Sequence, residues 1–91
     1  MPKTDTKKKV VKNSDLKDLN ELILWNDDVN SFDDIIDALI DICSHGANQA
    51  EQCAMIAHYK GKCDIKSGQP FDKLFGLKRL FDQRQINTSI E

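Results

Sequence analysis

Residues 22–39 read Leu-Ile-Leu-Trp-Asn-Asp-Asp-Val-Asn-Ser-Phe-Asp-Asp-Ile-Ile-Asp-Ala-Leu, and this stretch constrains the chain more than any other. A short apolar strand runs into three polar acceptors and then into an amphipathic helix. In residues 21–26, Ile23 and Trp25 fall on one face and Leu22 and Leu24 on the other. A strand apolar on both faces belongs in the middle of a sheet or under cover. Ser31 is placed to cap the helix, with Asp34 three residues on and Asp33 and Asp34 at the positive end of its dipole. Phe32, Ile35, Ile36, Leu39, Ile40, Ile42 and Cys43 follow helical spacing and form the expected buried stripe, with Asp33, Asp37 and Asp41 opposite and His45-Gly46 as the stop.

The remaining elements follow from local signals. A second helix is expected from Ala47 to Tyr59, rich in small residues that permit close packing or leave room for a ligand. Lys60-Gly61 ends it, and residues 62–66 read as a short strand. Ser67-Gly68-Gln69-Pro70 reads as a turn with Pro70 in the first turn of the next helix. That helix spans Phe71 to Arg84, with Phe71, Leu74, Phe75, Leu77, Leu80 and Phe81 as its apolar positions; Gly76 within it costs roughly 1 kcal/mol against alanine. Residues 86–90 read as a last strand. The order β-α-α-β-α-β defines an α+β domain, a three-stranded antiparallel sheet with helices covering one face.

With 91 residues, the chain has room for one small domain, read as residues 21–91, and a Lys-rich extension over residues 1–20 without periodicity, read as flexible. Six Lys and three Asp give the extension a charge of +3; seven Lys/Arg and twelve Asp/Glu leave −5 on the rest, for the total of −2. An acidic body is a poor nucleic-acid platform and a plausible host for cations. The extension lacks the basic-aromatic interleaving of a single-strand binder. Apolar runs are only a few residues long, too short to span a membrane, and no apolar segment follows the first lysines as a secretory signal requires. Three cysteines, Cys43, Cys53 and Cys63, point to a reducing, cytoplasmic setting rather than a disulfide framework, and by default to small buried hydrophobes.

Asn26, Asp27 and His58 form the candidate cation site. An ammonium has three donors and no acceptor, so an amide oxygen, a carboxylate and an imidazole nitrogen would satisfy it. A peptide α-amino group, with a pKa of about 7.7–8, is mostly charged at neutral pH. Asn-Asp-Asp is also ordinary turn and helix-start chemistry, and on residue pattern alone that reading has the better claim. Other sites fit less well. A calcium loop from Asn26 has Ser31 where glycine is needed and Asp37 where a bidentate glutamate is needed. Zinc would draw on Cys43, Cys53, Cys63, His45 and His58 without a Cys-x2-Cys knuckle. Cys53 and His58, five apart on one helix, point in different directions, so they make a poor nucleophile and base.

Asn26-Asp27-Asp28 after Leu-Ile-Leu, the helix that follows, and Ala57-His58-Tyr59-Lys60-Gly61-Lys62 together resemble the ClpS family, the adaptors of the bacterial Clp protease system. The likeness is good over residues 21–66 and weaker beyond. It implies a binding protein, not an enzyme, with no cofactor. The expected ligand is the N-terminal segment of a substrate protein whose first residue is Leu, Phe, Tyr or Trp. The expected partner is a Clp AAA+ unfoldase of the ClpA or ClpC type, working with ClpP; the N-terminal extension would engage the unfoldase pore. The resemblance assigns α-amino contacts to Asn26, Asp27 and His58. It assigns the side-chain pocket to Asn30, Phe32, Ile35, Ala54, Ala57 and Ile86. A structural module of the ribosomal stalk C-terminal type is the alternative on architecture alone.

Four departures stand out. Asn30-Ser31-Phe32 replaces a Thr-Pro-Met type sequence, which makes one pocket wall bulkier. Ala54 stands where Met or Leu is expected, which makes another thinner. Phe71-Asp72-Lys73-Leu74-Phe75-Gly76 replaces a Glu-Val-Ala-Glu-Thr-Lys type stretch that forms part of the family's unfoldase-docking surface, and the connection near residues 84–86 is short.

Overall fold

Strand β1 (Leu19–Trp25) lies between β2 (Lys62–Pro70) and β3 (Thr88–Ile90), antiparallel to both. The computed structural model describes residues 19–91; residues 1–18, which hold nearly all of the Lys-rich extension, lie outside the described residues. Helices α1 (Phe32–Cys43) and α2 (Ala47–Lys60) connect β1 to β2, and α3 (Phe71–Gln83) connects β2 to β3. The order is the β-α-α-β-α-β read from the sequence, and β1 is the central strand that its two apolar faces call for. Leu22 and Leu24 point into the core with Leu39, Leu74 and Phe81, and these five are the largest fully buried side chains. Ile23 pairs with Asp64 and Ser89 on the other face and is buried apart from that cluster. Trp25 shares that outer face: its indole N–H donates to Ser89 Oγ at 2.8 Å, and the Lys62 ammonium sits 5.4 Å from the ring centroid.

The start of α1 is as its sequence signals require. Ser31 has extended backbone geometry and its Oγ accepts from the Asp34 N–H at 3.1 Å. Ser31→Ala is expected to cost about 1 kcal/mol, the ordinary worth of such a cap, read as a lower urea midpoint with an unchanged slope.

Four expectations are corrected. Strand β1 begins two residues earlier than expected and β2 runs on to Pro70 rather than stopping at 66, because Leu19 pairs with Pro70 and Asn20 with Gln69. The register shifts between Asn20 and Glu21, and Gly68 has φ of +66°. The glycine therefore serves an irregularity inside a strand, not a turn that ends it. Pro70 is the N-cap of α3 rather than part of its first turn. The last strand is only Thr88–Ile90: Gln85, at φ of +60°, turns the chain first, and the Ile86 N–H returns to the Phe81 carbonyl at 3.0 Å. The buried stripes are also narrower than their spacing suggested, since Phe32, Ile40, Phe71, Phe75 and Leu80 are all exposed. Phe71 and Phe75 stack on each other, centroids 5.8 Å apart, on the outside of α3.

All three cysteines are free and buried. Burial pushes the Cys43 thiol from 9.0 up to about 11, and burial with the neighbouring Cys53 thiol raises that of Cys63. In the unfolded chain these thiols ionise near their ordinary value, while in the fold they keep their protons. Stability is therefore full at neutral pH and is expected to fall as pH rises from 9 toward 11. A urea midpoint that stayed flat over that window would contradict this.

Candidate functional site

The end of β1 and the end of α2 are tied together by the backbone. Gly61, at φ of +94°, closes α2 with its N–H on the Ala57 carbonyl at 2.9 Å; a side chain would be strained at that φ. The Gly61 carbonyl in turn accepts the Asn26 N–H at 2.9 Å. The residue after the strand is thereby fixed beside the last turn of α2, which carries His58. His58 and its neighbour Tyr59 meet edge to face, ring centroids 4.9 Å apart.

Between these elements and the start of α1 lies a cleft of about 430 Å³, within the usual range for small-ligand sites. Asn26, Asp27 and His58 line its polar part. Phe32 and Ile35 of α1 and Ala54 and Ala57 of α2 line its apolar part. Ala54 and Ala57 are almost fully buried, so the cleft floor is backbone and methyl groups; Phe32 is exposed at the rim. Two alanines on the facing helix leave the hole that longer side chains would fill.

Asp27 is the best-anchored group in the cleft. Its Oδ1 accepts the backbone N–H groups of Val29 and Asn30, each at 2.9 Å, and its Oδ2 accepts the Asn30 side-chain amide at 3.2 Å. Partial burial pushes the carboxyl pKa up, but the hydrogen bonds from Asn30 N–H, Val29 N–H and the Asn30 amide outweigh it, and the net shift is below 3.8. Asp27 is thus ionised throughout the neutral range. Its hydrogen bonds support the fold above pH 3.8 and are lost only as pH falls through the lowered value. Asp27 builds the turn that the Asn-Asp-Asp sequence suggests, and it also lines the cleft.

Of the nine residues that the sequence proposed, eight line this cleft. Ile86 does not. It is 2% exposed, belongs to the core cluster, and borders a separate acidic depression with Asn30, Asp34, Asp37, Asp41 and Arg84. The αL turn at Gln85 draws it inward. Asp33, Asp37 and Asp41 are all exposed, and Arg84 pairs with Asp41 at the surface at 3.2 Å. Sequence reasoning missed Met55 and Tyr59, which line the cleft mouth. Their i, i+4 spacing on the α2 face next to Ala54 and His58 was the available signal. Among the described residues no group of three or more His, Cys, Asp or Glu is gathered to hold a metal, and no helix is long and apolar enough to cross a membrane.

A small α+β domain that presents one preformed cleft, polar at one end and apolar at the other, is built as a binding module. The family model described as ATP-dependent Clp protease adaptor protein ClpS matches residues 15–85. The chain belongs to the ClpS family. No curated protein sequence matches it. Among solved structures it is similar to Agrobacterium tumefaciens ClpS2 bound to L-phenylalaninamide, at 18% sequence identity and a TM-score of 0.71, over 81% of this chain and 98% of that one. At that identity the likeness shows the fold, and by family the protein is a Clp protease adaptor.

Proposed function

We propose that this adaptor binds the free α-amino group and the bulky apolar first side chain of N-degron proteins. It delivers them in the cytoplasm to a Clp AAA+ unfoldase of the ClpA or ClpC type, partnered by ClpP. The supporting observation is the single cleft in which Asn26, Asp27 and His58 stand beside an apolar floor of Ile35, Ala54 and Ala57. A charged amine meets acceptors at one end while an apolar side chain leaves water at the other. The ligand in the similar ClpS2 structure, phenylalaninamide, has this chemistry: an α-amine, a phenyl group and no free carboxylate. Delivery is supported by the family assignment, and the exposed Phe71–Phe75 pair marks where this chain's outer surface on α3 departs from the family pattern.

The thin wall at Ala54 favours large side chains, so Phe, Tyr, Trp and Leu are the expected first residues. Fluorescence anisotropy with peptides that differ only in residue one tests this. Burying a large apolar side chain contributes about 1.5–3 kcal/mol, so Phe or Leu should bind roughly 10- to 150-fold tighter than Ser at that position. Equal affinity for Phe- and Ser-initiated peptides would end the proposal.

A further inference from the structure

The outward side of α3 carries a stripe of side chains that the core does not use. Leu74 and Phe81 turn one side of the helix inward, both 0% exposed. Asp72, Phe75, Gly76 and Arg79 recur at i, i+3, i+4 and i+7, so they share the opposite side, and all four are exposed. Phe71 borders the stripe and stacks on Phe75 at 5.8 Å; the two rings are 50% and 46% exposed. Aromatic rings left in water in this way are characteristic of interfaces. Gly76 sits mid-helix, where alanine is the better helix former, and a Cβ there would meet nothing within 4 Å. The fold gives no steric reason for the glycine. A helix packed from outside does, since small residues let two helix axes approach closely.

The charges identify the occupant. Lys78 is paired with Asp82 within α3 at 3.1 Å, whereas Asp72 and Arg79 have no ion-pair partner among the described residues. They stand beyond the i+3 and i+4 neighbours that meet on one helix. A second α3 set antiparallel to the first, with the two-fold axis between residues 75 and 76, resolves this. Asp72 and Arg79 are equally far from that axis on either side, so each lies level with its opposite charge on the other helix, twice over. Isologous contacts have this property: residue i meets j and j meets i. Beside the axis Phe75 meets Phe75 and Gly76 meets Gly76. A parallel pair would instead set Asp72 against Asp72 and Arg79 against Arg79. We infer that α3 is a self-association surface, on which a second copy of this chain packs antiparallel through Asp72, Phe75, Gly76 and Arg79. One short helix face buries less than a standard interface, so the dimer is weak and concentration dependent. No α3 residue lines the cleft, so pairing leaves the cleft open. The inference does not depend on what the cleft binds.

Analytical ultracentrifugation of the full chain, from micromolar to millimolar concentration, tests it. Wild type should pass reversibly from monomer to dimer, and added salt should weaken the dimer. Arg79→Asp leaves only acidic groups facing each other and Asp72→Arg only basic ones, so each should raise the dimer dissociation constant at least roughly tenfold. Mixed in equal amounts, the two variants should regain the dimer, because each supplies the charges that the other lacks. The double variant Asp72→Arg/Arg79→Asp should regain it too, since its pairs are only reversed. Phe75→Ala should lose the dimer with either arrangement of charges. All these positions are exposed, so each variant should keep the wild-type circular dichroism spectrum. A wild type that stays monomeric at millimolar concentration would leave the face to some other protein and overturn the inference. So would a dimer that survives both single charge reversals, or a mixture of the two that fails to restore it.

Discussion

Asp27→Ala is expected to weaken binding of a Phe-initiated peptide by about 2–5 kcal/mol, the usual cost of truncating one partner of a hydrogen-bonded charge pair once the bound ligand covers it. The carboxylate is ionised, anchored by three hydrogen bonds and held against one wall of the cleft. It therefore meets an ammonium without first having to be ordered. Alanine also removes the acceptor for the Val29 and Asn30 N–H groups and loosens the turn, so Asp27→Asn is the informative companion. An asparagine keeps a carbonyl oxygen for those two donors and removes the charge. If charge is what counts, Asp27→Asn should lose most of the affinity, while its urea midpoint should fall less than that of Asp27→Ala, because only the bond from the Asn30 amide to Oδ2 is lost. The pH dependence has a definite sign. Asp27 keeps its charge down past pH 3.8, so it imposes no loss between pH 5 and 8. Above about pH 8 the peptide's own amine loses its proton, and affinity should fall there in wild type. In Asp27→Asn that alkaline fall should be shallower. Isothermal titration across pH 6–9.5 would measure both.

Phe81→Ala is expected to cost about 3–5 kcal/mol of stability, by the lost burial and the cavity left behind. Phe81 is 0% exposed and is the largest fully buried side chain in the fold. It sits in the last turn of α3, and its carbonyl accepts the N–H groups of Arg84 and Ile86 at 3.0 Å each. The same residue thus fills the core and shapes the corner at Gln85, whose carbonyl accepts the Asn30 side-chain amide at 2.9 Å. A domain of this size holds only about 5–15 kcal/mol in total. With a urea slope of about 1–3 kcal/mol/M, the midpoint should drop by more than about 1 M, and a change under about 0.3 M would contradict the packing described. Peptide affinity measured well below the midpoint should suffer far less than in Asp27→Ala.

Local signals carried most of the fold. The Ser31 cap, the Gly61 stop and the two-faced apolar strand are each decided by a few neighbouring residues, and each forms where the residues require. Long-range pairing overrode local chemistry at Ser67-Gly68-Gln69, turn formers kept in β2 by Glu21 and Asn20. The apolar stripe of α1 was read too wide because spacing does not say where a neighbouring helix stops. Phe32 and Ile40 lie at the two edges left uncovered. Residue types suggested Asn26, Asp27 and His58 as a candidate polar end, but the pocket residues of the floor came from the family resemblance, because spacing alone reads Ala54 and Ala57 equally as close packing. The direction of Ile86 was not legible, because it depends on a positive φ at Gln85, where glutamine gives no warning. Nor was the bond from the Asn30 amide to the Gln85 carbonyl, which crosses 55 residues of sequence.

Binding of one peptide in two forms, Phe-initiated with a free α-amine and the same peptide N-acetylated, is the most direct measurement of the central claim. The phenyl group is unchanged, and only the cation that Asn26, Asp27 and His58 would receive is removed. The free amine should bind and the acetylated form should lose at least roughly tenfold, as for lost hydrogen bonds to a charged group. Equal binding of the two forms would mean that the cleft grips an apolar group alone, and that the polar cluster beside it serves the turn and nothing more.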